Sequence, residues 1–313
     1  MTEYCYPATI AEAVALLERR GGEARIIAGG TDLVPDLRKG KIESSCLVDV
    51  TRIPDLSRIE IDADWVTVGA AVTFGMIREH VFLQQRVHAL VEAARSVGAA
   101  AIQNAATWVG NIVQAMPAAD GAIVAVALGA EAEIVNGDGA RWEPVEGLFE
   151  GPGCSRVNSQ LEMVTRVRFG RPGARTGTGW QRVGRRAALV LPILNCAVLV
   201  ELERGADGDG QGAGEDEVIA KARIALGPVA PRPARARESE SFLRGQLPRP
   251  EVLEKAGQIA RGEAHPRTSV MRASKEYRLD ILPTLVTEAL TRAVERARPG
   301  KGLDGASMDE KRA

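Results

Sequence analysis

The 313-residue chain lacks an excess of either charge: 40 Lys and Arg stand against 41 Asp and Glu, a formal net charge of −1. A protein that grips nucleic acid through its phosphates needs a positive surplus, so this balance argues against a nucleic-acid partner. The chain also lacks any apolar run long enough to span a bilayer. Its first residues, Met1-Thr2-Glu3-Tyr4, carry neither the basic nor the apolar segment of a secretory leader. These absences predict a cytoplasmic protein without a membrane span. Cysteine is scarce, and Cys5, Cys46, Cys154 and Cys196 are scattered without metal-ligand spacing. They are expected as free thiols, with no iron–sulfur cluster and no metal on this chain. His80, His88 and His265 lie far apart and no acid–base pair stands out, so no catalytic side chain is assigned. Neither GxGxxG nor the Walker lysine is present, which removes two common nucleotide sites.

What is present is 45% apolar residues, ample for a core, in a length that suits two domains. Two glycine-bearing stretches organise the rest. In Ala28-Gly29-Gly30-Thr31-Asp32-Leu33 the order is strand, glycine turn, helix start. Glycines there let the backbone approach a ligand closely, and the N–H groups that follow can face a phosphate. In Thr107-Trp108-Val109-Gly110-Asn111 a Gly-Asn turn is expected in a polar loop that runs through Pro117 to Asp120. Asp120 opens an apolar run to Ala130, read as a buried helix with an acid in its first turn. Gly98 to Ala106 is rich in small residues, which allow a bulky ligand or another backbone to lie close.

Around these stretches, Thr9 to Arg20 reads as a capped helix closed by Gly21-Gly22, and Arg25–Ala28 and Cys46–Val50 read as strands. Turn residues Asp62-Ala63-Asp64 and Asn136-Gly137-Asp138-Gly139 predict hairpins. Thr73–Glu79 and Gln84–Val97 are expected as helices and Leu161–Phe169 as a strand. The Gly-, Pro- and Arg-rich segment 170–179 marks the expected main boundary. Beyond it, a second region opens at Trp180, with strands at Leu194–Leu202 and Val218–Leu226 and helices at Arg237–Arg244, Pro250–Arg261 and Ser274–Ala297. The acidic segment between the strands, Arg204 to Glu217, reads as a mobile hairpin tip; its spacing does not fit a calcium loop. Gly302 to Ala313 is expected to be disordered.

Both stretches together resemble the FAD-binding middle subunit of the molybdenum hydroxylases, the xanthine and carbon monoxide dehydrogenase family. Ala28 to Leu33 matches that family's AGGTDL, and Thr107 to Asn111 with Pro117 to Asp120 matches its second glycine motif and PAAD-like segment. Ile102-Gln103-Asn104, the segment Ala225 to Pro233 and Ala273-Ser274-Lys275-Glu276-Tyr277-Arg278 resemble further family segments. The resemblance runs from about residue 3 to 297. One departure stands out: Val109 where the family has glycine, beside Trp108 where it has a smaller aliphatic residue. A valine there implies a strained backbone or a shifted loop, so restoring glycine is expected to leave FAD affinity unchanged or tighten it.

The resemblance implies an α+β fold: a PCMH-type FAD-binding domain at 1–172, with subdomains of about 1–55 and 56–172, then a C-terminal sheet-plus-helices domain at 173–297 and a tail at 298–313. It implies noncovalent FAD. Ile26, Ile27, Ala28, Gly29, Gly30, Thr31, Asp32 and Leu33 would line one side of the pyrophosphate, and Thr107, Trp108, Val109, Gly110 and Asn111 the other. Thr31 and Thr107 would add hydroxyl donors. Asp120 would lie near the isoalloxazine end, Val97 and Gly98 beside the ring, and Arg182 or Gln181 would place a cation near it. The implied role is oxidoreductase electron transfer within a complex. A large subunit would hold the molybdenum cofactor, a small one two [2Fe–2S] clusters, in a dimer of heterotrimers. A stand-alone PCMH-type flavin oxidoreductase and a flavin-free structural subunit are the alternatives.

Overall fold

The structure is a computed structural model that describes residues 2–186, 189–205 and 217–298. Most of the acidic segment 204–217 and the whole of 302–313 therefore lie outside the described residues. The first unit is a parallel three-stranded sheet of β1 (Glu3–Cys5), β2 (Ala24–Ile27) and β3 (Cys46–Asp49), in the order β1-β3-β2. Helix α1 (Ile10–Arg19) links β1 to β2. Thr9 caps it by accepting from the Glu12 N–H at 3.2 Å, and Glu12 reaches back to the Ala8 N–H at 2.7 Å. Ala13, Val14 and Leu17 form its buried face. After β2 comes α2 (Leu33–Arg38), then β3.

An antiparallel five-stranded sheet follows. Its strands are β4 (Ile59–Ile61), β5 (Trp65–Gly69), β6 (Glu131–Asn136), β7 (Gly139–Pro144) and, after the small hairpin β8 (Phe149–Gly151) and β9 (Cys154–Ser155), β10 (Met163–Gly170). Both predicted hairpins form, each held by the turn's first polar side chain. Asp62 accepts from the N–H groups of Asp64 and Trp65, and Asn136 from those of Asp138 and Gly139. Between β5 and β6 lie α3 (Phe74–Glu79), α4 (Val81–Arg86), α5 (His88–Ser96), α6 (Ala100–Gln103), α7 (Trp108–Val113) and α8 (Asp120–Leu128).

Two expectations change here. The single helix over Gln84–Val97 is two helices broken at Val87 (φ −131°, ψ 55°). Leu83, Val87 and Leu90 are all fully buried across the break, and the Val87 N–H still donates to the Leu83 carbonyl at 2.9 Å. The expected loop at Thr107–Asn111 is helix α7, started by the Thr107 hydroxyl accepting from the Gly110 N–H at 3.0 Å.

The last unit is an antiparallel sheet of β11 (Thr176–Val183), β12 (Leu194–Arg204), β13 (Glu217–Gly227) and β14 (Ala234–Arg235), covered by α9 (Arg237–Leu243), α10 (Pro250–Glu263) and the 23-residue α11 (Lys275–Ala297). Its first strand starts earlier than expected, at Thr176, because Thr176 to Val183 pair with Glu201 to Leu194. All nine residues of α8 are buried, and α8 packs on β12 and β13 as well as on α5 and α7. Trp180, Ala197, Leu199 and Ala225 join the core of the first two sheets, while a second core lies under α9 to α11. The chain is thus an α+β protein with a helix of the first part wedged against a sheet of the last. Among the described residues, no helix is long and apolar enough to cross a membrane.

Candidate functional site

The first glycine turn ends β2. The Ile27 carbonyl takes the last ladder bond, from the Val50 N–H at 3.0 Å. From Ala28 to Leu33 no backbone N–H donates to an acceptor among the described residues. The carbonyls of Gly30 and Asp32 accept from Val34 and Asp36, which begins α2. Gly30 has φ +65°, a conformation that suits glycine. A Cβ on Gly29 would sit 2.0 Å from the Ala105 carbonyl oxygen and 2.9 Å from the Ala106 Cα. The turn therefore lies directly on the backbone of the second stretch, and no larger residue fits. A run of free N–H groups on a closely packed glycine turn is a cradle for an anion such as a pyrophosphate. Thr31 is half-buried and Asp32 exposed. Partial desolvation of its carboxyl group, then the nearby Asp36, raises the Asp32 carboxyl above its usual range.

The second stretch is stitched to its surroundings. The N–H groups of Phe74 and Trp108 donate to the carbonyls of Ala106 and Val72 at 3.0 and 3.2 Å. Thr73 and Thr107 form an antiparallel bridge. Trp108 is fully buried, donates its Nε1–H to the Gly121 carbonyl at 2.9 Å, and meets Phe169 edge-on at 6.1 Å. Val109 is 3% exposed and sits in the same core. It lies in the first turn of α7 without positive φ. The backbone strain expected of this valine is therefore absent: its side chain points inward, and with the Trp108 N–H spent on Val72 the Val109 backbone is left to face a ligand. Asn111 has a buried Oδ1 with no hydrogen-bond partner.

Val97 and Gly98 lie between α5 and α6. Gln103, 5% exposed, donates to the carbonyls of Arg95 and Val97 at 3.0 and 2.8 Å and accepts from Arg78. It holds this turn in shape, with Gly98 at φ +50°. Asp120, 6% exposed, accepts from Asn195 Nδ2 at 2.6 Å and Ser96 Oγ at 3.2 Å, and Arg182 Nε lies 3.3 Å from its Oδ2. That last contact is an ion pair without hydrogen-bond alignment, because Arg182 Nε makes no hydrogen bond; the guanidinium donates instead to the Val190 carbonyl. Burial raises the Asp120 carboxyl above its usual range, opposed by Arg182, Asn195 and Ser96. Asp120 and Arg182 thus meet each other, joining α8 and α5 to β11 and β12.

The predicted residues form one continuous region: Gly29 touches Ala105, Thr107 leads to Trp108, Trp108 reaches Gly121, and Val97 follows Ser96. Asn195, Ser96 and Arg78 were not singled out in the sequence. For Asn195 the signal was there, a lone amide within an apolar strand. A separate cavity of about 540 Å³ lies between Pro144–Gly147 and Ala230–Arg237. Of its arginines, Arg235 and Arg237 are paired with Glu146, and Arg235 also with Glu240. None of the glycine-turn residues lines it.

Comparison with known proteins gives two family matches: the FAD binding domain in molybdopterin dehydrogenase over residues 1–172, and the CO dehydrogenase flavoprotein C-terminal domain over 181–293. The chain is 28% identical over 295 residues to a putative xanthine dehydrogenase FAD-binding subunit of Escherichia coli, covering 94% of this chain and 96% of that one. It is 27% identical over 296 residues to the carbon monoxide dehydrogenase medium chain of Hydrogenophaga pseudoflava, covering 94% and 97%. Among solved structures, a carbon monoxide dehydrogenase from Hydrogenophaga pseudoflava that lacks the Mo-pyranopterin moiety superposes with a TM-score of 0.83 at 27% identity, over 94% of this chain and 98% of that one.

Proposed function

The chain belongs to the family of FAD-binding medium subunits of the molybdenum hydroxylases, and from that premise we propose that it passes electrons from [2Fe–2S] clusters of a small partner subunit through FAD to an external acceptor. A large partner subunit would carry the molybdenum cofactor, in a cytoplasmic dimer of heterotrimers. The observation that carries the reading is the Gly29 contact: a turn pressed onto Ala105 and Ala106 with the N–H groups of Ala28 to Leu33 unspent. That arrangement fits a dianionic pyrophosphate without a basic patch. In this reading those N–H groups and the Thr31 hydroxyl hold the pyrophosphate. The Val109 N–H and the Thr107 hydroxyl proton face it from the other side, and the Gln103 bonds to Arg95 and Val97 fix the turn beside the ring. Bound FAD supplies the redox chemistry, while the protein sets its position and surroundings.

The alternatives lose support. The flavin-free reading rested on Val109, whose side chain is in the core. Against a stand-alone enzyme, the match runs over 94% of this chain to relatives named as subunits or medium chains. The test is to purify the chain with its genomic neighbours and measure flavin, iron and molybdenum together. Co-purification of all three is expected. A folded preparation without flavin overturns the cofactor assignment, and flavin without iron and molybdenum points to the stand-alone enzyme. With no Cys or His in either glycine stretch, acid precipitation should release the flavin into the supernatant; flavin in the pellet contradicts noncovalent binding.

A further inference from the structure

In the β1–β3 ladder Glu3 pairs with Cys46 and Cys5 with Val48, so the period-two alternation of strands puts both cysteines on one face. Their Sγ atoms lie 3.1 Å apart, in direct contact. The two thiols differ in access: Cys46 is fully buried, Cys5 half-buried. Burial, with the neighbouring Cys5 next, pushes the Cys46 thiol up to about 11, so it keeps its proton. Arg20, bonded to Glu3, adds positive charge beside both sulfurs. Glu3, Cys5 and Cys46 also lie close enough to one another to share a metal ion, but Arg20 already occupies the Glu3 carboxylate, which leaves chemistry between the two sulfurs.

We propose that Cys5 and Cys46 are a reversible disulfide modification site whose oxidant is hydrogen peroxide. The Cys5 thiolate attacks one peroxide oxygen, the O–O bond breaks, and hydroxide leaves to be protonated, giving a sulfenic acid and water. Cys46 Sγ, already in contact, attacks that sulfur; the S–O bond breaks and a second water leaves with the Cys46 proton. Two thiols lose two electrons and two protons, peroxide gains them, and the products are one disulfide and two waters. A small-molecule thiol reverses the bond by exchange. The closed loop runs from residue 5 to 46 and contains β2 and the glycine turn, so the modification constrains the segment that forms one wall of the candidate site. The proposal stands whether or not that wall holds FAD.

The test uses the full chain carrying Cys154→Ser, which removes an exposed thiol able to cross-link molecules. After graded peroxide, free thiols are alkylated and the peptides are mapped by mass. The expected product is a Cys5–Cys46 peptide pair about 2 Da lighter than its reduced parts, restored by dithiothreitol. In Cys46→Ala, Cys5 should stop at a sulfenic acid that dimedone traps; Cys5→Ser gives the complementary loss of the bridge should that variant not fold. Over-oxidation of Cys5 to the sulfinic acid while Cys46 stays reduced overturns the proposal, as does peroxide that leaves both thiols alkylatable.

Discussion

The two glycine-bearing stretches read alike in sequence and differ in the folded chain. At Ala28 to Leu33 the backbone N–H groups have no acceptor among the described residues, and glycine is required because backbone from elsewhere touches it. At Thr107 to Asn111 the glycine lies inside a short helix, the Trp108 N–H is spent on Val72, and the two bulky side chains fill the core. One stretch leaves its N–H groups unspent; the other packs its side chains inward, and the first leans on it. Glycine content therefore does not say how a stretch is built; what separates the two is where their N–H groups go.

If that division is right, substitutions in the two stretches fail differently. The largest effect is expected for Gly29→Ala, whose Cβ meets a main-chain carbonyl that cannot move alone. Overpacking of this kind costs about 3 kcal/mol, and the flavin-to-protein ratio should fall with it. Denaturant unfolding and visible absorbance measure both; wild-type values for each would erase the contrast. Asp120→Asn comes next, replacing the buried carboxyl that accepts from Asn195 and Ser96 at the seam, about 1–3 kcal/mol. Its pH dependence has a sign. Burial raises the Asp120 carboxyl in the folded state, so its contribution to stability is present below the unfolded value and lost as pH rises through the folded one. The stability gap between wild type and Asp120→Asn should thus narrow as pH rises from the ordinary carboxylate range, about 4, through the raised folded-state value. A gap that widens would mean that Arg182 outweighs burial.

Val109→Gly sharpens the comparison in the opposite direction from the expectation raised by the sequence. The variant loses a buried side chain and puts glycine in a helix, about 2 kcal/mol, while flavin content in the folded fraction stays at the wild-type level. Flavin binding that tightens would restore the idea of a clash. The smallest effect belongs to Thr107→Ala, which deletes the α7 cap at about 1 kcal/mol. Thermal unfolding at fixed flavin checks it; an unchanged midpoint would show that α7 does not depend on its cap.

Much of this architecture was legible. Asp62 and Asn136 announce their hairpins through turn chemistry, Thr9 and Glu12 announce α1, and Ala28 to Leu33 announces a strand, a turn and a helix start. What escaped has physical reasons. No Pro or Gly marks the break at Val87, so no local signal in the sequence announces it. Gly110 suggested a turn, yet Thr107 three residues before it supplies a helix cap, and the cap won. Strand β1 is three residues long and pairs with β3 some forty residues away, too short for periodicity to register. The meeting of Asp120 with Arg182 and Asn195 depends on how β11 and β12 lie across α8, which no local pattern encodes.

The wholly buried α8 also bears on how the chain emerges from a ribosome. Its cover includes β12 and β13, which begin about 65 and 90 residues after it, or roughly 3–18 s of synthesis at usual elongation rates. For that interval the nascent chain carries a hydrophobic helix with one side unsheltered, a natural target for chaperones. A version truncated after residue 172 would stay in that condition permanently, and its expected fate on expression is inclusion bodies rather than a free flavin domain.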